Sequence, residues 1–151
     1  MPGGTVTFST PTVTPATYSW SGPNGWTSTQ QNPTITNLTL ANSGNYSLVV
    51  TSLGCSNLPV TTVVTVNPIP VAAFAINSAN LDLPYDQLVC NNASTGATSY
   101  SWSFGDGDTS TSQDPIHTYQ ALGNQQVSLT AISNFGCTAL HDTIFSIEPL
   151  P

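Results

Sequence analysis

Along this chain, apolar residues recur at every second position in short stretches. Val6 and Phe8, Tyr18 and Trp20, Leu38 and Leu40, and Leu48 and Val50 alternate with Thr, Ser or Asn. Period two marks a strand with one face in a core and the other in water. Turn-forming clusters separate the stretches, among them Gly22-Pro23-Asn24-Gly25 and Asn42-Ser43-Gly44. Further along, Leu88 and Cys90, then Tyr100, Trp102 and Phe104, then Val127, Leu129 and Ala131, follow the same rule. Ile144 and Ile147 break strict alternation, which predicts a bulge or strand end at Ile147. No window combines helical periodicity with caps, and Thr is abundant where a helix favours Ala, Leu, Glu or Lys. Short strands with frequent turn signals predict an all-β protein built from antiparallel β-sandwiches.

The chain also resembles itself. At an offset of 82, Tyr18-Ser19-Trp20-Ser21 falls on Tyr100-Ser101-Trp102-Ser103, and Thr27-Ser28-Thr29 falls on Thr109-Ser110-Thr111. Gln31 meets Gln113, Pro33 meets Pro115, and Gly54-Cys55 meets Gly136-Cys137, with no gap introduced. A register held this far predicts two copies of one supersecondary plan. The expected organisation is two tandem sandwiches, residues 1–67 and 71–151, with residues 68–70 as the link. Asn67-Pro68-Ile69-Pro70 carries two prolines in four residues and so predicts a short, stiff, extended connection.

Composition narrows the function. The 151 residues include seven acidic side chains and no Lys or Arg, for a formal charge of -7. Nucleic-acid binding needs cationic side chains against phosphates, and none is available. Anionic membranes are disfavoured for the same reason. No apolar run is long enough to span a bilayer, and no signal-peptide pattern opens the sequence. With 38% hydrophobic and only 5% charged residues, the chain has the makings of a core and little charge repulsion to oppose it.

Two motifs resemble known families. Leu38-Thr39-Leu40-Ala41-Asn42-Ser43-Gly44-Asn45-Tyr46-Ser47-Leu48 is similar to the passage from strand E to strand F of immunoglobulin-like domains. That resemblance implies that Tyr46 is the corner tyrosine, its ring in the core and its hydroxyl on nearby backbone, and that Trp20 is the core tryptophan of strand C. Asn42 stands where Asp is common, and Leu48 where the strand F cysteine would be, so aliphatic packing replaces the inter-sheet disulfide. Tyr100-Ser101-Trp102-Ser103-Phe104-Gly105-Asp106-Gly107-Asp108, followed by Pro115-Ile116-His117-Thr118-Tyr119, resembles the polycystic kidney disease (PKD) domain, also a β-sandwich. Ser103 departs from the usual Asp, and Gln125 stands at an aromatic position. The resemblance implies structural roles for Trp102, His117 and Tyr119. It also implies a setting in the repeat regions of very large bacterial surface proteins, including adhesins and gliding-associated filaments.

Three cysteines cannot form a closed framework. Domains similar to the first carry a cysteine just before Gly3-Gly4-Thr5-Val6, so Met1 is expected to replace or follow a lost cysteine that partnered Cys55; an always-free Cys55 is the other reading. Cys90 reads as a small buried hydrophobe on strand B, or as the partner of Cys137 at the start of strand G. No Cys/His spacing suggests zinc.

No catalytic arrangement is expected. Lys is absent, which removes Schiff bases, isopeptide crosslinks and phosphate-loop chemistry. No nucleophile elbow occurs, and neither His117 nor His141 has a recognisable relay. Asp106 and Asp108 flank Gly107 and offer hard oxygens for calcium, with Asp82, Asp86 and Asp114 in the same domain; the competing reading is a plain turn. Trp26 and Tyr85 are candidate sugar-stacking rings, unless they pack on their own sheet. Asp142-Thr143-Ile144 resembles an O-glycosylation acceptor of some gliding bacteria, and Asn37, Asn45 and Asn92 head Asn-x-Ser/Thr triplets.

The functional expectation is a non-catalytic spacer of a large extracellular surface protein, with neighbouring repeats of the same chain as partners. The alternative is an accessory module that binds polysaccharide or a cell-surface protein. An exposed edge strand that docks protein is a third reading.

Overall fold

The computed structural model describes residues 3–77, 80–83 and 87–149. It divides into two compact units, Met1–Asn67 and Pro68–Pro151. The division falls before the first linker proline. Pro70 is buried and Val71 bridges to Thr95, so the end of the proline segment is built into the second unit.

The first unit contains β1 (Val6–Thr7), β2 (Thr17–Ser21), β3 (Thr27–Ser28), β4 (Thr34–Ile35), β5 (Gly44–Ser52), β6 (Cys55–Ser56) and β7 (Val60–Val64). Strands β1 and β4 pair with each other, and β5 sits between β2, which carries β3, and the successive strands β6 and β7. On β2 the parity rule works as expected: Tyr18 and Trp20 point inward while Thr17, Ser19 and Ser21 are exposed. They join Phe8, Tyr46 and Leu48 in an aromatic core. Tyr46 is fully buried and its hydroxyl donates to the Asn42 carbonyl at 2.9 Å. The expected alternation at Leu38 and Leu40 does not make a strand. Leu40–Asn42 forms a 3-10 turn and Leu40 is 58% exposed, because the Asn42 carboxamide oxygen takes the Thr39 amide at 2.7 Å and its hydroxyl at 3.0 Å. A side chain that satisfies local backbone competes directly with strand pairing.

The second unit contains β8 (Phe74–Ile76), β9 (Asn80–Leu83), β10 (Leu88–Asn92), β11 (Ser99–Ser103), β12 (Thr109–Ser110), β13 (Ile116–His117), β14 (Gly123–Ile132) and β15 (Thr138–Pro149). One sheet runs β13-β10-β8 and the other β12-β11-β14-β15-β9, where β9 is parallel to β15. The core gathers Leu81, Leu88, Cys90, Trp102, Phe104, Tyr119, Val127, Leu129, Phe145 and Ile147. No bulge occurs at Ile147. Pairing with β14 is continuous from Gly123↔Ile147 to Ile132↔Thr138, and the inward parity belongs to Phe145 and Ile147, leaving Ile144 67% exposed.

The repeat survives at the level of single hydrogen bonds. Each tryptophan donates its indole N–H to a carbonyl ten residues on: Trp20 to Gln30 at 3.0 Å and Trp102 to Ser112 at 2.9 Å. Phe8 N–H donates to the Pro33 carbonyl, and Cys90 N–H to that of Pro115. The offset is not constant throughout, as the ungapped match had implied. Trp20 pairs with Leu48, whereas Trp102 pairs with Leu129, one residue earlier than an offset of 82 requires. The difference is restored in the next hairpin, which turns through Leu53-Gly54 in the first unit and through Asn134-Phe135-Gly136 in the second.

The two cores fill one volume in different ways. A Cβ on Gly22 would lie 2.5 Å from the Tyr46 ring, so the ring occupies the space above that glycine. In the second unit the position of Gly22 holds Phe104, which is 2% exposed, and the strand pairing puts the smaller Val127 at the position of Tyr46. The aromatic ring has moved from one strand to the other.

Candidate functional site

The polar cluster that draws most of the second unit's chemistry together lies at the turn after β11. Phe104 N–H donates to the Asp108 carbonyl at 3.1 Å and closes the turn, and the Asp108 amide donates to Asp106 Oδ1 at 3.1 Å. Gly105, with φ of +91°, is required there, since a Cβ would lie 2.8 Å from the Gln126 carbonyl oxygen. Asp106 Oδ2 is 2.7 Å from His117 Nε2 on β13. The His117 ring stacks on Phe104 at 4.2 Å between centroids and meets the edge of Tyr119 at 4.5 Å. Tyr119 donates its hydroxyl to the Phe104 carbonyl at 2.8 Å. Asp106 thus binds its own turn with one oxygen and the opposite sheet with the other.

The electrostatics follow from that geometry. Partial burial pushes Asp106 up, but the His117 hydrogen bond, the Asp108 amide and the imidazole charge outweigh it and hold the carboxyl below its usual value. Burial, with the neighbouring Asp106 charge, pushes the Tyr119 hydroxyl above its usual value. The His117 side chain is 9% exposed and that of Asp106 26%. The pair is therefore a partly shielded clamp, with the imidazole held between aromatic rings and a carboxylate.

Ligand atoms of Asp106, Asp108 and His117 lie within 4.8 Å of one another, beside a cleft of about 290 Å³ lined also by Thr118, Gln120 and Gln125. This set does not make a calcium cage. Calcium takes about six to eight oxygens, whereas here one donor is nitrogen and one Asp106 oxygen is already engaged by it. Of the other acids, Asp114 accepts the Asn92 amide at 2.7 Å, and Asp86 lies outside the described residues.

The remaining candidates scatter. Of the two readings of Cys90, the small buried hydrophobe holds and the bridge to Cys137 is not formed; all three cysteines are free thiols. Cys90 points into the core from β10, paired with β8, while Cys137 sits at the tip of the β14–β15 hairpin in the other sheet. Burial pushes the Cys90 thiol up to about 11. Trp26 packs on its own core, 5.9 Å from Phe8 and edge-on to Tyr46 at 5.3 Å, and is half-buried. Tyr85 lies outside the described residues. His141 meets Phe74 edge-on at 5.2 Å. The sequence reading placed His117 in a packed setting but missed Asp106 as its partner; the signal was a carboxylate in the turn and an imidazole eleven residues on, in β13.

Mainly antiparallel sheets closed over buried tryptophans, each indole tied to its own loop, define an all-β protein of the β-sandwich class. The family model of the PKD domain matches residues 65–146, more than half of the sequence, and the chain belongs to that family. No curated protein matches it. Among solved structures, the PKD1 domain of Vibrio anguillarum Epp is 30% identical over 56% of this chain and 99% of that one, with a TM-score of 0.49. The PKD1 domain of the Vibrio cholerae metalloprotease PrtV is 29% identical over 54% of this chain and 99% of that one, at 0.47. A structure of promiscuous carbohydrate-binding modules from the β-sandwich superfamily is 24% identical over 55% of this chain and 36% of that one, at 0.52, and shares the fold. PKD domains are generally non-catalytic modules and typically extracellular. Among the described residues no helix is long and apolar enough to cross a membrane.

Proposed function

We propose that the chain is a non-catalytic spacer segment of a large extracellular bacterial surface protein, an adhesin, stalk or filament, in which such units repeat to set length. The observation that carries this reading is duplication: two units with separate cores repeat one hydrogen-bonding plan, and the most polar cluster is a clamp within one of them. A surface with no Lys or Arg resists trypsin-like proteases, and its net charge of -7 opposes self-association. The test is reach. One, two or four copies inserted between a cell-surface anchor and a reporter binding domain are expected to move the reporter outward by equal increments while leaving its affinity unchanged. Unequal increments, or an affinity that varies with copy number, would sink the spacer reading.

A further inference from the structure

The hairpins that carry the two tryptophans share one turn. Gly22 N–H donates to the Trp26 carbonyl at 2.8 Å, and in the second unit Phe104 N–H donates to that of Asp108 at 3.1 Å. Strand pairing fixes the correspondence, with Trp20 opposite Ser28 and Trp102 opposite Ser110. Asn24-Gly25 in the first turn therefore stands where Asp106-Gly107 stands in the second. Both glycines have positive φ, +74° and +104°, and a Cβ on either would meet nothing within 4 Å. With no side chain and no close neighbour, each glycine leaves its own amide free to rotate against the residue before it.

The residue before the glycine makes the difference. Asp106 is tied at both oxygens, one by the Asp108 amide at 3.1 Å and the other by His117 at 2.7 Å, and it is ionised at neutral pH. A carboxylate has no leaving group. Asn24 has one, its amide nitrogen, and it lies exposed in the left-handed region with φ of +55°, which asparagine tolerates better than most residues. That nitrogen donates to the Ala41 carbonyl at 2.6 Å, the one hydrogen bond among the described residues between the turns Pro23–Gly25 and Leu40–Asn42. A ψ of 28° at Asn24 turns the Gly25 nitrogen away from the Asn24 side chain. The closed turn is thus a safety catch on a reactive pair.

We propose that Asn24-Gly25 is a self-modifying site, a one-way latch that converts to an aspartyl or isoaspartyl residue when the two turns of the first unit part. Once the Ala41 bond opens and ψ rotates, the Gly25 nitrogen attacks Asn24 Cγ. The new N–Cγ bond forms, the Cγ–Nδ2 bond breaks, and ammonia leaves with the Gly25 amide proton. Water, the only co-reactant, then opens the five-membered imide at one or other carbonyl. Neither product recloses the latch, because a carboxylate only accepts hydrogen bonds and the Ala41 carbonyl needs a donor. Residues 1–67 hold no Asp, Glu, Lys, Arg or His, so conversion also puts the first side-chain charge on that unit at neutral pH. The chemistry needs no partner and does not rest on the spacer reading.

The test holds the full chain in warm, mildly alkaline buffer and cleaves samples with chymotrypsin, since no Lys or Arg offers trypsin a site. The peptide 21–26 is expected to gain one mass unit and to split into two isomers, more slowly than the same peptide free in solution. The peptide carrying Asp106-Gly107 stays a single species. Converted chain, separated by anion exchange, loses amide protection over residues 39–46 while residues 123–149 keep theirs. Asn24→Asp, which carries the carboxylate without the isoaspartyl linkage, shows the same loss. No mass gain in the folded chain by the time the free peptide is fully converted overturns the proposal. So does conversion as fast as in the free peptide, which would mean that the Ala41 bond guards nothing. Isomerisation of Asp106-Gly107 at the same rate, or protection over residues 39–46 that survives both conversion and Asn24→Asp, overturns it as well.

Discussion

Trp20 and Trp102 occupy equivalent places in two cores, and each spends its only polar atom on a backbone carbonyl ten residues further on, at 3.0 and 2.9 Å. The bond ties the strand that carries the ring to the loop leaving its hairpin partner, β3 or β12. Each core therefore has its own keystone. Trp102→Ala is expected to cost about 3 to 5 kcal/mol and to melt the second unit while the first stays folded; Trp20→Ala does the reverse. Residue-resolved thermal melts by NMR read this directly, and joint loss of both units would refute independent folding.

Gly22 has an extended backbone and is needed for the space above it. Gly22→Ala drives a methyl into the Tyr46 ring and is expected to cost roughly 1 to 3 kcal/mol in denaturant unfolding of the first unit. The double change Gly22→Phe with Tyr46→Val copies the second unit's arrangement of Phe104 and Val127 and should recover part of that loss. A double variant worse than both single ones would show that the two cores are not interchangeable solutions.

Leu53 has a φ of +49° in the two-residue turn between β5 and β6, and its side chain is 85% exposed. A branched residue this exposed bears the cost of that conformation and gains little burial in return. Leu53→Asn is expected to stabilise the first unit by about 1 kcal/mol, measured as a rise in denaturation midpoint with no change in slope.

Asp106 gives the second unit an acid limit. Its folded value lies below the ordinary 3.8, so its contribution is fully present above that pH and is lost as pH falls through the folded value. Asp106→Asn should lower the melting point at neutral pH, and the gap to the unmodified protein should close between about pH 5 and pH 2. A gap independent of pH would mean that the His117 contact contributes nothing through charge.

Cys90 supplies the alkaline counterpart. Its thiol is raised from 9.0 to about 11 by burial, so its contribution is complete below pH 9 and disappears as pH rises toward 11. At neutral pH a maleimide should label exposed Cys55 first and reach Cys90 only when the second unit opens. Labelling of Cys90 at the rate of Cys55 in the folded chain would contradict the packing of β10.

Much of this was legible in the residues. Parity placed Tyr18, Trp20, Trp102, Val127 and Leu129 inward, and the Gly-x-Tyr spacing placed the Tyr46 hydroxyl on backbone near its turn. These features depend on neighbours within one strand or turn. What escaped depends on competition or on distance. Leu40 left the strand pattern because Asn42 captured the Thr39 backbone, and Ile147 took its parity from Phe145, not from Ile144. The Asp106–His117 contact joins a turn to the opposite sheet, and a constant offset hid the one-residue exchange between the strand connection and the following hairpin.

The migration of one aromatic ring between strands has a genetic consequence. Duplicated segments are prone to unequal crossing-over, and an exchange of the two copies between the codons for Gly22 and Tyr46 would yield one unit with Phe and Tyr crowded together and another with Gly and Val around a void. Neither product folds well. The displaced ring thus acts as a barrier to homogenisation, letting two sandwiches encoded side by side diverge as separate lineages within one gene.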